Sequence, residues 1–243
     1  MTEFVVVTPT YNCADSINQT IKSVYSQSYN NWRMIIIDDM SSDNTARVCS
    51  EIAETLGVSD RIRVITRYEK YGETRNTIDV CENIDDNAVV VRLDGGDWLT
   101  DLDCFYFLDR IYAESVDPAV VWTGHRWSFT GTNISGPLDP TMSPYQQPWK
   151  SSHLKTFRKN AMNGINKKNY MDEDDKWIVI ACDQAVFLPM LEKAWRDRRP
   201  NVYIDACMYH YSIDLHDPQL FTKPRSKRQK MSAEWIRHRG YIE

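Results

Sequence analysis

The chain has 243 residues, 42% hydrophobic and 26% charged with only nine glycines, which excludes a disordered, collagenous or coiled-coil protein and leaves a globular one with a full core. Lys and Arg total 29 against 34 Asp and Glu, a net charge of −5, so the molecule as a whole is no polyanion binder. The charge is uneven, however: Lys223 to Arg239 carries +6 and the remainder −11.

In chain order, short β-branched runs alternate with amphipathic segments, the signature of a parallel sheet flanked by helices. Phe4 to Val7 reads as a strand, and Asp15 to Ser26 spaces Ile17, Ile21, Val24 and Tyr25 as one face of a helix. Trp32 to Ile37 is a second strand, followed by a helix capped by Ser41-Ser42-Asp43, with Ala46, Cys49, Ile52, Ala53 and Leu56 as its stripe. Ile62 to Ile65 is a strand, Glu73 to Glu82 a helix, Ala88 to Leu93 a strand buried on both faces, and Leu102 to Ala113 a helix.

After Pro118 the pattern changes. Ala119 to Phe129 reads as strand, and four prolines, Pro137, Pro140, Pro144 and Pro148, then punctuate a long irregular stretch. Leu154 to Met162 has helical spacing, Asp172 to Asp175 is an acidic insert lacking the glycine and spacing of a calcium loop, and Asp183 to Trp195 is a helix kinked by Pro189. Val202 to Tyr211 is the last strand. A basic linker and a short helix opened by Ser232 and stopped by Gly240 follow. The expected organisation is one domain in two lobes: residues 1–115 for a donor, 116–215 for an acceptor and catalysis, and 216–243 as a basic tail.

The six cysteines are spread singly with no CxxC pair, and no signal-like run precedes the first strand, which points to reduced thiols and a cytoplasmic location, host cytoplasm if the chain is viral. The apolar runs fall short of the ~20 residues of a membrane helix, so no membrane span is expected.

In an open parallel sheet, ligands sit beyond the carboxyl ends of the strands. Here those ends lead into Thr8-Pro9-Thr10-Tyr11-Asn12, Asp38-Asp39-Met40-Ser41-Ser42-Asp43 and Asp94-Gly95-Gly96-Asp97, so carboxylates collect at one edge. Packed acids stay ionised when they meet donors or a cation, which implies a divalent ion. No GxGxxG or GxxxxGK[ST] occurs, so neither a dinucleotide site nor a P-loop is supported. Carboxylates with a hard cation, a forked donor such as Arg75, Tyr11 for stacking on a base and Asp39 to accept its imide proton suit a nucleoside diphosphate.

These residues resemble a known family. Val5-Val6-Val7-Thr8-Pro9-Thr10-Tyr11-Asn12, Ser23 and Gln27, Ile37-Asp38-Asp39 through Asp43-Asn44-Thr45, Arg75-Asn76, and Leu93-Asp94-Gly95-Gly96-Asp97-Trp98-Leu99 look like the family 2 glycosyltransferases of the GT-A fold, over roughly the first 110 residues. Beyond them the resemblance reaches only Cys182-Asp183-Gln184. It implies a Rossmann-like α/β sheet and an inverting transferase that takes a sugar from a nucleotide-sugar, a UDP-sugar above all, to an acceptor hydroxyl of a glycan, a protein-linked glycan or another polymer.

By the same resemblance Pro9, Tyr11 and Asp39 hold the base, Thr10 is a further nucleotide-sugar contact, Arg75 lies near a donor phosphate, Asp94 faces ribose or metal, and Asp183 is the general base. Mn2+ or Mg2+ is the implied cofactor, although Gly96 stands where the second metal-holding aspartate is expected, with Asp97 as substitute if Gly95-Gly96 turns the chain.

Several residues have two readings. Arg75 is a donor ligand or a surface ion pair, and Asp43 is a cap or a contact. His153 touches the diphosphate or the acceptor, or is a surface histidine at a helix start. His210 is a metal ligand, as in some relatives, or an ordinary strand side chain. The basic tail is a solvated surface or meets an anionic acceptor, which raises the alternative of a DNA glycosyltransferase acting on hydroxylated pyrimidines. A nucleotide-sugar binding module without turnover is a further alternative. A nucleotidyltransferase is disfavoured because Thr8 to Asp15 is no glycine-rich basic loop.

Overall fold

A computed structural model describes residues 1–114, 116–127, 133–212 and 223–243, and for 223–225 the backbone alone. Eight strands form one sheet: β1 (Phe4–Thr10), β2 (Trp32–Asp38), β3 (Ile62–Thr66), β4 (Val89–Arg92), β5 (Trp98–Leu99), β6 (Val120–Trp127), β7 (Lys155–Arg158) and β8 (Asn201–Tyr211). Their order is β3-β2-β1-β4-β7-β6-β8-β5. The first four in that order run parallel, and β7 is antiparallel to both β4 and β6. β8 then runs parallel to β6, and β5 antiparallel to β8. The carboxyl ends of β1, β2, β4, β6 and β8 therefore share one edge.

Among the described residues six α-helices accompany the sheet: α1 (Ile17–Tyr25), α2 (Thr45–Thr55), α3 (Gly72–Cys81), α4 (Cys104–Ala113), α5 (Cys182–Arg196) and α6 (Lys223–Arg239). The alternation of strand side chains divides the core in two. Phe4, Val6, Met34, Ile36, Val89 and Val91 pack with Ile17, Ile21, Cys49 and Phe105 of α1, α2 and α4. Val5, Val7, Ile35, Val90 and Phe157 face the other way, onto Ile78 and Cys81 of α3 and Val186, Phe187 and Met190 of α5.

The elements expected over the first 113 residues are all present, with ends shifted by a few residues. Three expectations change. Helix α2 is not capped at Asp43; Asn44 holds the cap position, and Asp43 accepts from the amide of Thr45 at 2.9 Å and that of Ala14 at 3.1 Å, joining the helix to the loop after β1.

Leu154 to Met162 is not a helix. Residues 155–158 form β7 between β4 and β6, and a 3-10 turn over Lys159–Met162 follows. The basic linker is itself helical, as part of the single helix α6, which ends at Gly240 with φ +75°. The last residues of the strand expected to Phe129, and tail residues 216–222, lie outside the described residues.

Asp172 to Asp175 forms a solvated turn in which Asp172 accepts from the amides of Asp174 and Lys176 at 3.0 and 2.9 Å. The six cysteines are free. Among the described residues no helix is long and apolar enough to cross a membrane.

Candidate active site at the carboxyl edge of the sheet

The charged centre of the edge is built by cross-strand register. Arg92 at the end of β4 lies directly opposite Lys155 at the start of β7, and both side chains are buried on the face that carries α3 and α5. Two buried cations side by side require counter-charges, and the two helices and the β4 turn bring them. Arg92 pairs with Asp94 at 2.8 Å and with Glu73 in the first turn of α3. Lys155 pairs with Asp183 in the first turn of α5.

The charges within this cluster shift one another. Burial pushes Asp183 up, but the Lys155 ammonium and His153 beside it prevail and hold its carboxyl well below the usual carboxylate range. Desolvation, reinforced by Asp94 and Asp183 and opposed by Arg92, pushes Glu73 up to about 7. Neither Arg92, Lys155 nor Glu73 was singled out from sequence. The one available signal was a cation ending the apolar run Val89-Val90-Val91-Arg92.

Asp183 is 33% exposed, and its Oδ2 lies 3.9 Å from Nε2 of His153. His153 is no surface residue: it is 7% exposed and stacks on Tyr209 and Tyr211, with ring centroids 4.6 and 5.2 Å apart. Burial, followed by the Lys155 charge, pushes its imidazole down to about 3, so the ring is neutral.

The expected donor residues line the neighbouring ends of β1 and β2. Tyr11 is half exposed, and the Lys70 ammonium stands over its ring. Thr10 donates to the carbonyl of Ile37, and its own carbonyl accepts from the amide of Asp39, which ties the two strand ends together. Asp39 is buried and accepts from the amides of Tyr71 and Gly72 at 2.8 and 3.0 Å, so it anchors the start of α3. A carboxylate keeps lone pairs beyond two such bonds, and a base is within its chemical capacity. Arg75 stacks on Tyr71 at 3.5 Å and lies 3.6 Å from Asp79, so the ion-pair reading holds in this structure. Arg67 takes the same ring at 4.4 Å.

The metal expectation can be tested on the donor set. The Gly95-Gly96 turn forms as required: Gly96 has φ +97° and the amide of Asp97 donates to the carbonyl of Asp94 at 3.1 Å. Asp97 nevertheless does not present a ligand. Its Oδ2 accepts from the Tyr209 hydroxyl at 2.5 Å and its Oδ1 from the amide of Ser212 at 2.7 Å, and burial together with Asp94 pushes its carboxyl well up.

His210 stacks on Trp98 and accepts at Nδ1 from Arg126 at 3.0 Å, so in this structure that nitrogen is engaged within the sheet. Among the described residues no three metal-ligating side chains gather. Asp94, 31% exposed, is the expected ligand that still offers a carboxylate to solvent, and one carboxylate with donor phosphates is a known way of holding a hard cation.

Comparison with known proteins places this edge in context. The family model described as glycosyl transferase family 2 matches residues 5–172. The Escherichia coli UDP-Glc:alpha-D-GlcNAc-diphosphoundecaprenol beta-1,3-glucosyltransferase WfgD is 35% identical over 74 residues, 30% of this chain and 27% of that protein. S. aureus TarS 1-349 in complex with UDP-GlcNAc superposes with a TM-score of 0.66 at 15% identity, covering 97% of this chain and 65% of that one. The mannosyltransferase PcManGT of Pyrobaculum calidifontis, in complex with GDP-Man and Mn2+, gives 0.62 at 14% identity, covering 96% of this chain and 69% of that one. The fold is GT-A.

Proposed function

The chain belongs to glycosyl transferase family 2, and from that premise we propose that it moves a sugar from a UDP-sugar to an acceptor hydroxyl with inversion at the anomeric carbon. The observation that carries this reading is the placement of Asp183: an ionised carboxylate in the first turn of α5, partly exposed, set against the Arg92, Glu73 and Asp94 cluster at the carboxyl edge. The bound sugar nucleotides in TarS and PcManGT support the donor class.

In this reading Pro9, Thr10, Tyr11 and Asp39 receive the uracil, with Tyr11 stacking on it and Asp39 accepting its imide proton. Arg75 turns from Asp79 to a phosphate, and Asp94 meets the ribose or, with the phosphate oxygens, a divalent ion. Such an ion would neutralise charge on the departing diphosphate. Residues 1–115 then form the donor half and 116–215 the acceptor half, with His153 at their junction beside Asp183.

Asp183 takes the proton of the acceptor hydroxyl as its oxygen attacks the anomeric carbon from the side opposite the diphosphate. The new carbon–oxygen bond forms as the bond to phosphate breaks, and UDP leaves with the electron pair. A glycan hydroxyl is the acceptor class that the WfgD likeness supports. DNA is not favoured: the likenesses to sugar transferases lend it no support, and two of the cations of the basic helix, Arg237 and Arg239, are taken up by backbone carbonyls of the protein itself.

The test is a panel of nucleoside diphosphates and their sugars, with and without Mn2+, read as thermal shift and then as transfer, with the product anomer assigned by NMR. Asp183→Asn should abolish transfer and keep the donor-induced shift. Unchanged turnover in that variant would remove Asp183 as base, and a chain that binds donor yet never transfers would be the binding module.

A further inference from the structure

Asp183 has two oxygens in different surroundings, and β7 decides which one can act. Lys155 is 1% exposed, its ammonium lies on Oδ1, and Asp183 is its hydrogen-bonding partner among the described residues. Around it stand the Phe187 ring, 5.2 Å from Nζ, the carboxyl of Glu73 and the imidazoles of His125 and His153 within electrostatic range, and the adjacent strands, where Lys155 is opposite Arg92 and Trp122. A buried ammonium without a counter-charge is costly, so Lys155 is held to the carboxylate and the carboxylate to Lys155. Oδ2 points to His153, whose Nε2 at 3.9 Å is beyond hydrogen-bond reach.

We propose that Lys155 is the positioning residue of the transfer step: it fixes Oδ1 of Asp183 and thereby leaves Oδ2, on the His153 side, as the oxygen that takes the acceptor's proton. The proton passes from the acceptor O–H to Oδ2, and Lys155 keeps all three of its own throughout. A proton arriving at Oδ1 would meet the ammonium; one arriving at Oδ2 meets a neutral imidazole. This assignment rests on the reading of Asp183 as general base.

The test uses the full chain with UDP-GlcNAc and UDP-glucose as donors and water as acceptor, following UDP release. Lys155→Met should lower kcat roughly 10- to 100-fold, the scale of a misplaced catalytic group, with the donor KM within about twofold. Lys155→Arg, which restores a cation, should recover part of kcat. Independently of turnover, 15N spectra of lysine ammonium groups should show a slowly exchanging signal that is absent from Lys155→Met and is shifted or lost in Asp183→Asn.

A Lys155→Met protein with wild-type kcat, or an ammonium signal indifferent to Asp183→Asn, would overturn the assignment alone. Equal losses in kcat and donor affinity that Lys155→Arg does not repair would also overturn it, in favour of a structural role. If the wild type turns over neither donor while its ammonium signal still responds to Asp183→Asn, the ion pair stands and the transferase reading falls, taking the catalytic role with it.

Discussion

The hydroxyl of Tyr209 donates to Oδ2 of Asp97 at 2.5 Å and accepts from the amide of Asp94 at 3.3 Å, so one fully buried phenol fixes both ends of the Asp94 to Asp97 turn. The turn carries Asp94, the partly exposed carboxylate expected to meet metal or ribose, and Tyr209 of β8 holds it. Tyr209→Phe leaves a buried carboxylate oxygen and an amide without their partner, at a cost of about 1–3 kcal/mol. Urea unfolding should show a lower midpoint with an unchanged slope. An unchanged midpoint would mean that the Ser212 amide alone holds Asp97.

Gly96 sits where a side chain would be strained. Its φ of +97° disfavours any side chain, and a Cβ there would lie 3.0 Å from Oγ of Ser16. Gly96→Asp restores the acid of the family pattern, and by strain at this backbone it should cost about 1–3 kcal/mol. The expected result is a lower Tm with no gain in Mn2+-stimulated UDP release. A variant of undiminished Tm that responds newly to Mn2+ would show that the turn can adopt the family's geometry.

The placement of the candidate donor residues at one edge was legible because they lie in contiguous strand-to-loop segments, where Tyr11, Asp39 and Asp94 each follow a recognisable strand. The charge network was not, since Arg92, Lys155, Glu73 and Asp183 meet only through strand register and helix placement, which no local pattern encodes. The β7 error has the same root. Leu154, Phe157 and Ala161 have helical spacing, but Lys155 and Thr156 are buried because strands flank β7 on both sides, and that burial is tertiary. The basic stretch was read as linker because Ser226 to Met231 are exposed and carry no apolar stripe; among the described residues of the helix, Trp235 and Ile236, near its end, pack into the apolar core.

Two buried histidines make the fold sensitive to acid. His125 and His153 are 2% and 7% exposed, and burial, then the Lys155 charge, pushes them down to about 4 and about 3. The indole of Trp127 also donates to Nε2 of His125 at 3.0 Å, a bond that protonation of that nitrogen would remove. Both folded values lie below the unfolded one, so their contribution is complete above about pH 6.5 and is lost as pH falls toward the folded values. On the order of 2 kcal/mol each is lost by pH 5. In His153→Gln the slope of unfolding free energy between pH 6.5 and 5 should be shallower by about 1.4 kcal/mol per unit. A slope equal to that of the wild type would show that His153 titrates normally in the folded chain.

Helix α6 joins its charges to the carboxyl edge of the sheet at one end only. Ser226 to Met231 are exposed, whereas Ser232 donates to the carbonyl of Ile180 at 2.9 Å and Arg237 donates to Oε1 of Gln184 at 3.0 Å. These contacts grip the chain on both sides of Asp183, and Arg237 also donates to the carbonyls of Tyr145 and Gln147. Arg237→Ala strips donors from those partly buried carbonyls, so it should cost about 1–3 kcal/mol and loosen the first turn of α5. Lys227→Gln with Arg228→Gln, at exposed positions, should leave stability within about 0.5 kcal/mol of the wild type. Hydrogen exchange at Cys182 to Ala185 separates the two: faster in Arg237→Ala and unchanged in the double variant. Equal protection in all three proteins would show that α6 is held by the Trp235 and Ile236 packing alone and does not brace the aspartate.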